Sequence, residues 1–430
     1  MSFLYSVVTF GCRVNQADSL GFEEELLSRG GMPAAASQAD VVIVNTCSVT
    51  AASDQGARQT IRQIARQNPS ARIVVTGCYA TRCPEEVADL PGVVRVVPNE
   101  LKERLLEEIG TTTAQRFDQG EGPCGAVIAP GLMGRTAYTV RVQTGCDEPC
   151  SYCIIPSTRG HSRSRPLDDV LREIARVAAA GFREIAITGV HLGSYGKDLP
   201  EPSTLLKLLR RISELALDDV LFRISSLEPM DCSDEIVDLV ARSGTFAPHF
   251  HLPLQHASDR LLSRMRRPYT LAQYRQLVDG IRERMAHASV GSDLIVGFPG
   301  ETNEDAELLD RYLEACPLTH VHVFPYSDRP GTAATALTSK VHGLDVRRRA
   351  AEARERGRSL AERFYRSQVG SVRRGLTIDA GALVVTDNYL KVHIAPGLSR
   401  NEWVRVEIPP SPSSVAPLLQ LSAQDPVCTD

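Results

Sequence analysis

Residues 138–153 read YTVRVQTGCDEPCSYC: an apolar run, then three cysteines spaced C-x3-C-x2-C. The run Tyr138–Gln143 has the β-branched, aromatic make-up of a strand. Cys146, Cys150 and Cys153 follow it in one loop, short enough for three sulfurs to converge on one metal centre. Three thiols are odd for disulfides and one short of a four-thiolate cage. An iron–sulfur cube held by three thiolates keeps one iron open to a small molecule. A zinc site completed by His161, as C-x3-C-x2-C-x7-H, is the other reading of the spacing.

Five further strand-like runs follow: Glu184–Thr188, Val220–Ser225, His249–Leu254, Ser289–Val296 and His320–Pro325. Helical patterns such as LDDVLREIARVAAAG (167–181) and LAQYRQLVDGIRERM (271–285) lie between them. Six βα units predict an open, partial (βα)6 barrel over residues 137–367, two units short of a full one. The three-cysteine loop follows its first strand, at the carboxyl-end face where barrel sites form.

Residues 1–109 repeat a similar unit. YSVVTFGC (5–12), DVVIVNTC (40–47), ARIVVTGC (71–78) and GVVRVVP (92–98) read as strands. Helices are expected at Asp18–Arg29, from about Ala52 to Gln67, and around Glu85–Leu90. Strands and helices alternating in this way predict a doubly wound parallel sheet, and the fold class is α/β. Ligands of such sheets sit off the carboxyl ends of the strands. Cys12, Cys47 and Cys78 each fall at such an end, so three thiols far apart in sequence reach one edge.

Residues 110–136 read as a linker rich in Gly, Thr, Gln and Pro. Residues 346–374 carry ten Arg against three Glu, a pattern fitting either a phosphate-tracking surface or a solvated helix with Glu–Arg pairs. Residues 368–430 hold the short β-like runs GLTIDAG, ALVVTDNYLKVHIAP and EWVRVEI, expected to form a small β-barrel followed by a flexible tail.

The 430 residues suffice for two or three domains. With 43% hydrophobic and 23% charged residues and a net charge of −4, the composition is that of a soluble protein. A basic surface must then be local. The start, MSFLYSVVTFGC, lacks a basic signal-peptide region, and no apolar run reaches membrane-span length. Eleven cysteines without an export signal point to the reducing cytoplasm, with no membrane partner.

Seven motifs in order carry a resemblance: TFGCRVNQADS (9–19), VIVNTCSVT (42–50), VVTGCYA (74–80), CSYCIIPSTRGHSRSRP (150–166), ITGVHLGSYG (187–196), LPLQHASDRLLSRMRRPYT (252–270) and DLIVGFPGET (293–302). Together the chain resembles the radical S-adenosylmethionine methylthiotransferase family, from residue 9 to about 365. The resemblance implies two [4Fe–4S] clusters and S-adenosylmethionine as cofactors. Cys146, Cys150 and Cys153 would hold the cluster that binds S-adenosylmethionine and cleaves it by one electron. Cys12, Cys47 and Cys78 would hold a second cluster that carries sulfur. Tyr152 would pack near the adenine, and Gly189 would meet the methionine amino group through its backbone. Ser226 and Gln255 would contact ribose or the methionyl part, and Gly297 would let backbone approach adenine. Loop packing, strand-end capping and a tight turn account for these five residues equally well. Cys83, Cys124, Cys232, Cys316 and Cys428 match no ligand position, and His256 reads as a packed residue.

The same resemblance divides by substrate. Arg13-Val14 after the first cysteine is similar to the type acting on N6-threonylcarbamoyladenosine of tRNA; the isopentenyladenosine type has Gln-Met there and the ribosomal-protein type Pro-Lys. LPLQHAS also occurs in the type that modifies an aspartate of a small-subunit ribosomal protein. The implied partners are tRNA, gripped by the small C-terminal β-barrel, a one-electron reductant of flavodoxin or ferredoxin type, and a sulfur donor. An anticodon-loop base is already unpaired, so drawing it into a pocket costs little. An electron carrier or RNA-binding scaffold is the non-enzymatic reading, but electron carriers complete four ligands per cluster.

Overall fold

A computed structural model describes residues 3–108, 128–131 and 134–419. Cys124, Cys428, most of the 110–136 segment and the last residues of the tail lie outside these. The chain divides into two compact units. One contains the residues up to Ile128 with Gln143–Arg163 and Ser327–Thr335; the other contains Ala129–Val142, Ser164–Tyr326 and everything from Ala336 onward.

The first unit is built on five parallel strands: β1 (Phe3–Thr9), β2 (Gly31–Pro33), β3 (Val41–Thr46), β4 (Arg72–Gly77) and β5 (Val93–Val97), ordered β2-β1-β3-β4-β5. Between them run α1 (Arg13–Ser28), α2 (Ala51–Gln67), α3 (Cys78–Arg82) and α4 (Pro84–Ala88), and α5 (Leu105–Glu108) follows. The central strand β3 is buried throughout, so its alternation serves two cores. Val42 and Val44 pack with Ile61 and Ile64 of α2 and with Val75, while Val41 and Ile43 pack with Phe22 and Leu26 of α1 and with Leu105. Burial on both faces is why the strand reads as an unbroken apolar run.

Two differences from the sequence reading have local causes. The first helix begins at Arg13, five residues earlier than expected, with Cys12 as its N-cap. Strand β2 was not anticipated because three residues ending in Pro carry no alternation; it sits at the sheet edge, where a missing N–H is tolerated.

In the second unit, six parallel strands form two three-stranded groups. Tyr138–Arg141, Glu184–Thr188 and Leu221–Ile224 make one; His249–His251, Ser289–Val296 and His320–Pro325 make the other. A parallel bridge between Phe222 and Phe246 links the groups. This is the open six-stranded barrel that the βα count predicts.

The Arg-rich segment is one helix, Gly343–Gln368. Most of its arginines are engaged: Arg348 with Glu352, Arg356 with Asp310, Arg358 with Glu355 and Arg366 with Glu362. Arg349, buried, bonds Glu301 and Asn303, and Arg363 donates to backbone carbonyls. The helix therefore follows the paired-helix reading of its charge pattern rather than offering a row of free guanidinium groups.

After it, Val372–Ile378, Leu383–Thr386, Lys391–Ile394 and Trp403–Glu407 pair antiparallel, and the sheet is extended at its edges by Val415–Ala416, parallel to Lys391–Ile394, and Leu418–Leu419, antiparallel to Trp403–Glu407. Those edge strands are separated in the chain by Pro417 alone, so the sheet must curl until its edges nearly meet. Val384, Val392, Ile394, Val404 and Val406 fill the resulting small barrel.

Candidate functional site

Strand register places the first three cysteines. Thr9 pairs with Asn45 and Asn45 with Thr76, forming one row across β1, β3 and β4. Cys12, Cys47 and Cys78 lie three, two and two residues beyond that row, at the carboxyl ends of adjacent strands. Gly11, at φ 91°, brings the turn so close that an added Cβ would lie 2.7 Å from Cys47 Sγ. Only glycine fits there. Gly77 plays the equivalent part beneath Cys78: at φ 96° its Cβ would lie 2.2 Å from the Thr46 carbonyl oxygen.

Cys12 is exposed, whereas Cys47 and Cys78 are buried. Burial pushes the Cys47 thiol up to about 11, and the nearby Cys12 and Cys78 sulfurs push it the same way. Three sulfurs gathered at one sheet edge, with the ionisation of Cys47 opposed by burial, are a donor set that a metal centre stabilises, because bound metal compensates the thiolate charge.

A buried polar network lies under these thiols. Lys102 donates to Asp18 at 2.7 Å and to Asn45 Oδ1 at 2.9 Å. Arg159 reaches Asn15, Asp18 and the Cys78 sulfur. Burial opposes the Arg159 charge, but Asp18 and the Cys78 and Cys12 sulfurs outweigh it and hold the guanidinium above its ordinary range. Burial lowers Lys102, with Asp18 acting against the shift. Two cations against the Asp18 carboxylate favour negative charge at the thiols. Arg159 Nε is buried with no hydrogen-bond partner, a donor left over for an acceptor beyond the protein's own atoms. An anionic iron–sulfur group fits this donor set and this surplus positive charge.

The second cysteine loop belongs to the same unit. Gly145, at φ 73°, allows the loop to pass the His161 carbonyl, which would sit 1.8 Å from an added Cβ. Gln143 Nε2 donates to the Thr144 and Gly145 carbonyls. The Cys146 amide donates to Gly160 O at 3.1 Å, and the Cys153 amide to Cys150 O. The Glu148 amide points at Cys146 Sγ, 3.4 Å away. His161, offered by the spacing as a fourth ligand, pairs with Asp147 at 2.6 Å and is almost fully exposed. Tyr152 is half-buried between its neighbouring cysteines.

Two devices tie the loops together. The short helix Ile155–Arg159 follows Cys153 and carries Arg159 to Cys78; beside it Asn99 Nδ2 donates to the Thr158 carbonyl at 2.7 Å and faces Cys78 Sγ at 3.7 Å. The segment Ser327–Thr335 braces both: Arg329 bonds Asp54 and the Val49 carbonyl beyond Cys47, while the Ala334 amide donates to Ser151 O. Asn15, Asp18, Asn99, Lys102, Arg159 and Arg329 had no role in the sequence reading. Asn15, Asp18 and Arg159 do fall inside quoted motifs, as polar residues that the fold buries.

The remaining candidates belong to the second unit. Gly189 is half-buried just after Glu184–Thr188, and Ser226 is exposed two residues past Ile224. Gln255 has φ 69° and bridges to Leu294, its amide donating to Asp293 O and its carbonyl accepting from Ile295. Gly297 has φ 77°, donates its amide to Glu301 and packs where Val346 would lie 2.5 Å from an added Cβ; packing alone demands glycine. His256 is fully buried and accepts from the Ser258 amide. Cys232 and Cys316 are buried thiols, and Cys83 starts α4 as its N-cap.

Comparison with known proteins adds the following. Residues 140–313 match the radical SAM superfamily, and residues 5–98 match uncharacterized protein family UPF0004. The chain is 32% identical to threonylcarbamoyladenosine tRNA methylthiotransferase MtaB of Rickettsia prowazekii, over 94% of each chain. It is 35% identical to the Aquifex aeolicus protein of that name, over 89% of this chain and 95% of the other. A tRNA-2-methylthio-N(6)-dimethylallyladenosine synthase of Thermotoga petrophila is 34% identical over 77% and 76%. In fold, the chain is similar to the radical S-adenosylmethionine methyltransferase TsrM of Kitasatospora setae, with a TM-score of 0.54 at 18% identity over 78% and 77%.

Proposed function

Because the chain belongs to the radical S-adenosylmethionine methylthiotransferase family, an enzyme family with [4Fe–4S] clusters and S-adenosylmethionine as cofactors, we propose that it methylthiolates C2 of N6-threonylcarbamoyladenosine-37 in the tRNA anticodon loop. The observation that carries this reading is the near full-length similarity to relatives bearing that substrate in their names, at 32–35% identity.

Cys146, Cys150 and Cys153 are the ligands we assign to the cluster that binds S-adenosylmethionine, and Cys12, Cys47 and Cys78 those of the second cluster. When bound, these groups supply the radical and sulfur-transfer chemistry. The protein's own part is positioning. Gly11 and Gly77 seat three sulfurs along one sheet edge, Lys102 and Arg159 offset their charge, and Arg159 and Asn99 fix the second loop against the first. Tyr152, Gly189, Ser226, Gln255 and Gly297 are the assigned S-adenosylmethionine contacts; at Gly297 the packing of Val346 also requires glycine. A flavodoxin- or ferredoxin-type protein delivers the electron, and the enzyme acts with its tRNA in the cytoplasm.

The test is nucleoside mass spectrometry of tRNA from a strain lacking the modification, with this gene supplied. Appearance of 2-methylthio-N6-threonylcarbamoyladenosine supports the reading, and Cys47→Ala should abolish the product while S-adenosylmethionine cleavage continues. A 2-methylthio isopentenyl product instead would favour the second reading, which the Thermotoga petrophila relative supports. Unchanged tRNA would overturn both and direct attention to the ribosomal-protein aspartate.

A further inference from the structure

The second unit carries a cluster of imidazoles that belongs to neither cysteine triad. Three adjacent parallel strands, His249–His251, Ser289–Val296 and His320–Pro325, place His251 opposite Gly291 and Gly291 opposite His320. The three residues form one row across the sheet. Residues two apart share a face, so Asp293 and His322, themselves paired across the strands, occupy the next row of that same face.

Glycine at the centre of the row lets the flanking rings converge. A Cβ on Gly291 would lie 2.1 Å from His320 Nε2 and 2.9 Å from His251 Nδ1. The space a side chain would fill is therefore the space into which two imidazole nitrogens point. His322 closes the triangle: ring centroids stand 6.0 Å apart for His251 and His320, 5.5 Å for His251 and His322, and 5.7 Å for His320 and His322. One nitrogen from each ring lies within 4.8 Å of the other two. Tetrahedral ligation at a metal–nitrogen distance of roughly 2 Å puts such centroids about 5 Å apart, so side-chain shifts of under about 1 Å would complete the geometry.

The opposite ring nitrogens are already held. His251 Nε2 bonds Asp293 Oδ1 at 2.9 Å, and His320 Nδ1 bonds Thr319 Oγ1 at 2.9 Å. A carboxylate or hydroxyl on the far nitrogen fixes tautomer and ring orientation, turning the remaining lone pair toward a metal. On that assignment His251 offers Nδ1 and His320 offers Nε2, the two atoms that meet over Gly291. His251 and His320 are half-buried and His322 is exposed, which leaves a route of entry from solvent.

We propose that His251, His320 and His322 form a three-imidazole site for a divalent transition ion of the zinc class, with Asp293 and Thr319 orienting two of the ligands and a fourth coordination position open. Three neutral imidazoles suit zinc, whereas magnesium and calcium select oxygen donors. Binding is simple ligation: no electron is exchanged and no bond of the protein breaks. The proposal does not depend on the transferase substrate.

The test uses the full chain with its iron–sulfur clusters reconstituted anaerobically. Zinc chloride is added, the protein is dialysed against zinc-free buffer, and zinc and iron are counted together. X-ray absorption at the zinc edge then identifies the donor atoms. The expected result is about one zinc per chain with a nitrogen shell near roughly 2.0 Å, imidazole outer-shell scattering, and no sulfur near roughly 2.3 Å. His322→Gln, at an exposed position that leaves the fold intact, should retain no zinc at equal iron content. Asp293→Asn should weaken retention by roughly 10–100-fold. A sulfur shell, zinc retention equal in His322→Gln and the parent, or no retained zinc in the parent would each overturn the proposal.

Discussion

Asp18 Oδ2 accepts from both Lys102 and Arg159, and all three side chains are almost wholly buried. Removing one partner from such a network leaves charge without compensation, which costs about 3–5 kcal/mol. Asp18→Asn should therefore lower the urea midpoint of the chain sharply, whereas Asp18→Asn with Lys102→Met should recover part of the loss by withdrawing one stranded cation. A double variant no more stable than the single would show that pairing is not what Asp18 provides. The network also marks the limit of what the sequence discloses at this scale. Cysteine announces its chemistry by type, so six sulfurs in two triads stand out of the string. Asp18 lies 84 residues from Lys102 and 141 from Arg159, and no local pattern says that polar groups so far apart will share one buried site. An Asn and an Asp three residues apart on one helix, facing a sheet edge that collects thiols, is the signal that was available.

The helix Asn303–Ala315 starts with a capping box, Thr302 and Asp305 each bonding the other's backbone amide. Asp305 also accepts from Ser258 Oγ at 2.6 Å and from Arg260. Burial alone would raise its carboxyl, but these donors overcome burial and hold it down to about 2, against an ordinary value of 3.8. The folded-state value is the lower one, so the contribution is complete above about pH 4 and is lost as pH falls through about 2. Far-UV circular dichroism of acid unfolding should show Asp305→Asn less stable than the parent at neutral pH, by roughly 1 kcal/mol for a lost cap, with the gap closing below pH 2. A gap that persists in strong acid would assign the loss to packing. Elements of this kind were legible where the pattern was strong. Ser289–Val296 and His320–Pro325 fall where the apolar runs place them, since each is long and bounded by turns. The Gly31–Pro33 strand was not legible, because its pairing with Phe3–Tyr5 comes from the neighbouring strand rather than from its own residues. Charge count likewise could not decide along Gly343–Gln368: eight arginines in the helix fit free cations or paired ones, and the partners Glu301 and Asp310 lie some 46–48 residues earlier in the chain.

At the scale of the whole molecule, the C-terminal sheet is not an appendage on a tether but part of the second compact unit. Arg223, in the strand Leu221–Ile224, is 1% exposed; it donates to the Asp387 and Thr386 carbonyls at 2.8 and 2.9 Å and pairs with Glu184. Trp403 packs with Leu221, Ala247 and Leu376, and its indole donates to the Asp219 carbonyl at 2.9 Å. Arg374 lies over the Trp403 ring at 3.9 Å. Trp403 is the sole tryptophan of the chain, so its fluorescence reports this junction and nothing else. In urea, the red shift of that emission should coincide with the loss of circular dichroism from the barrel strands, as expected when one cooperative unit contains both probes. Arg223→Ala strands Glu184 and frees two carbonyls of the C-terminal sheet, a cost of about 3 kcal/mol borne mainly at the junction. The fluorescence transition of that variant should then precede the circular dichroism transition. If instead the two already separate in the parent, the C-terminal sheet folds on its own account, and the contacts of Arg223 and Trp403 do not couple it to the barrel strands.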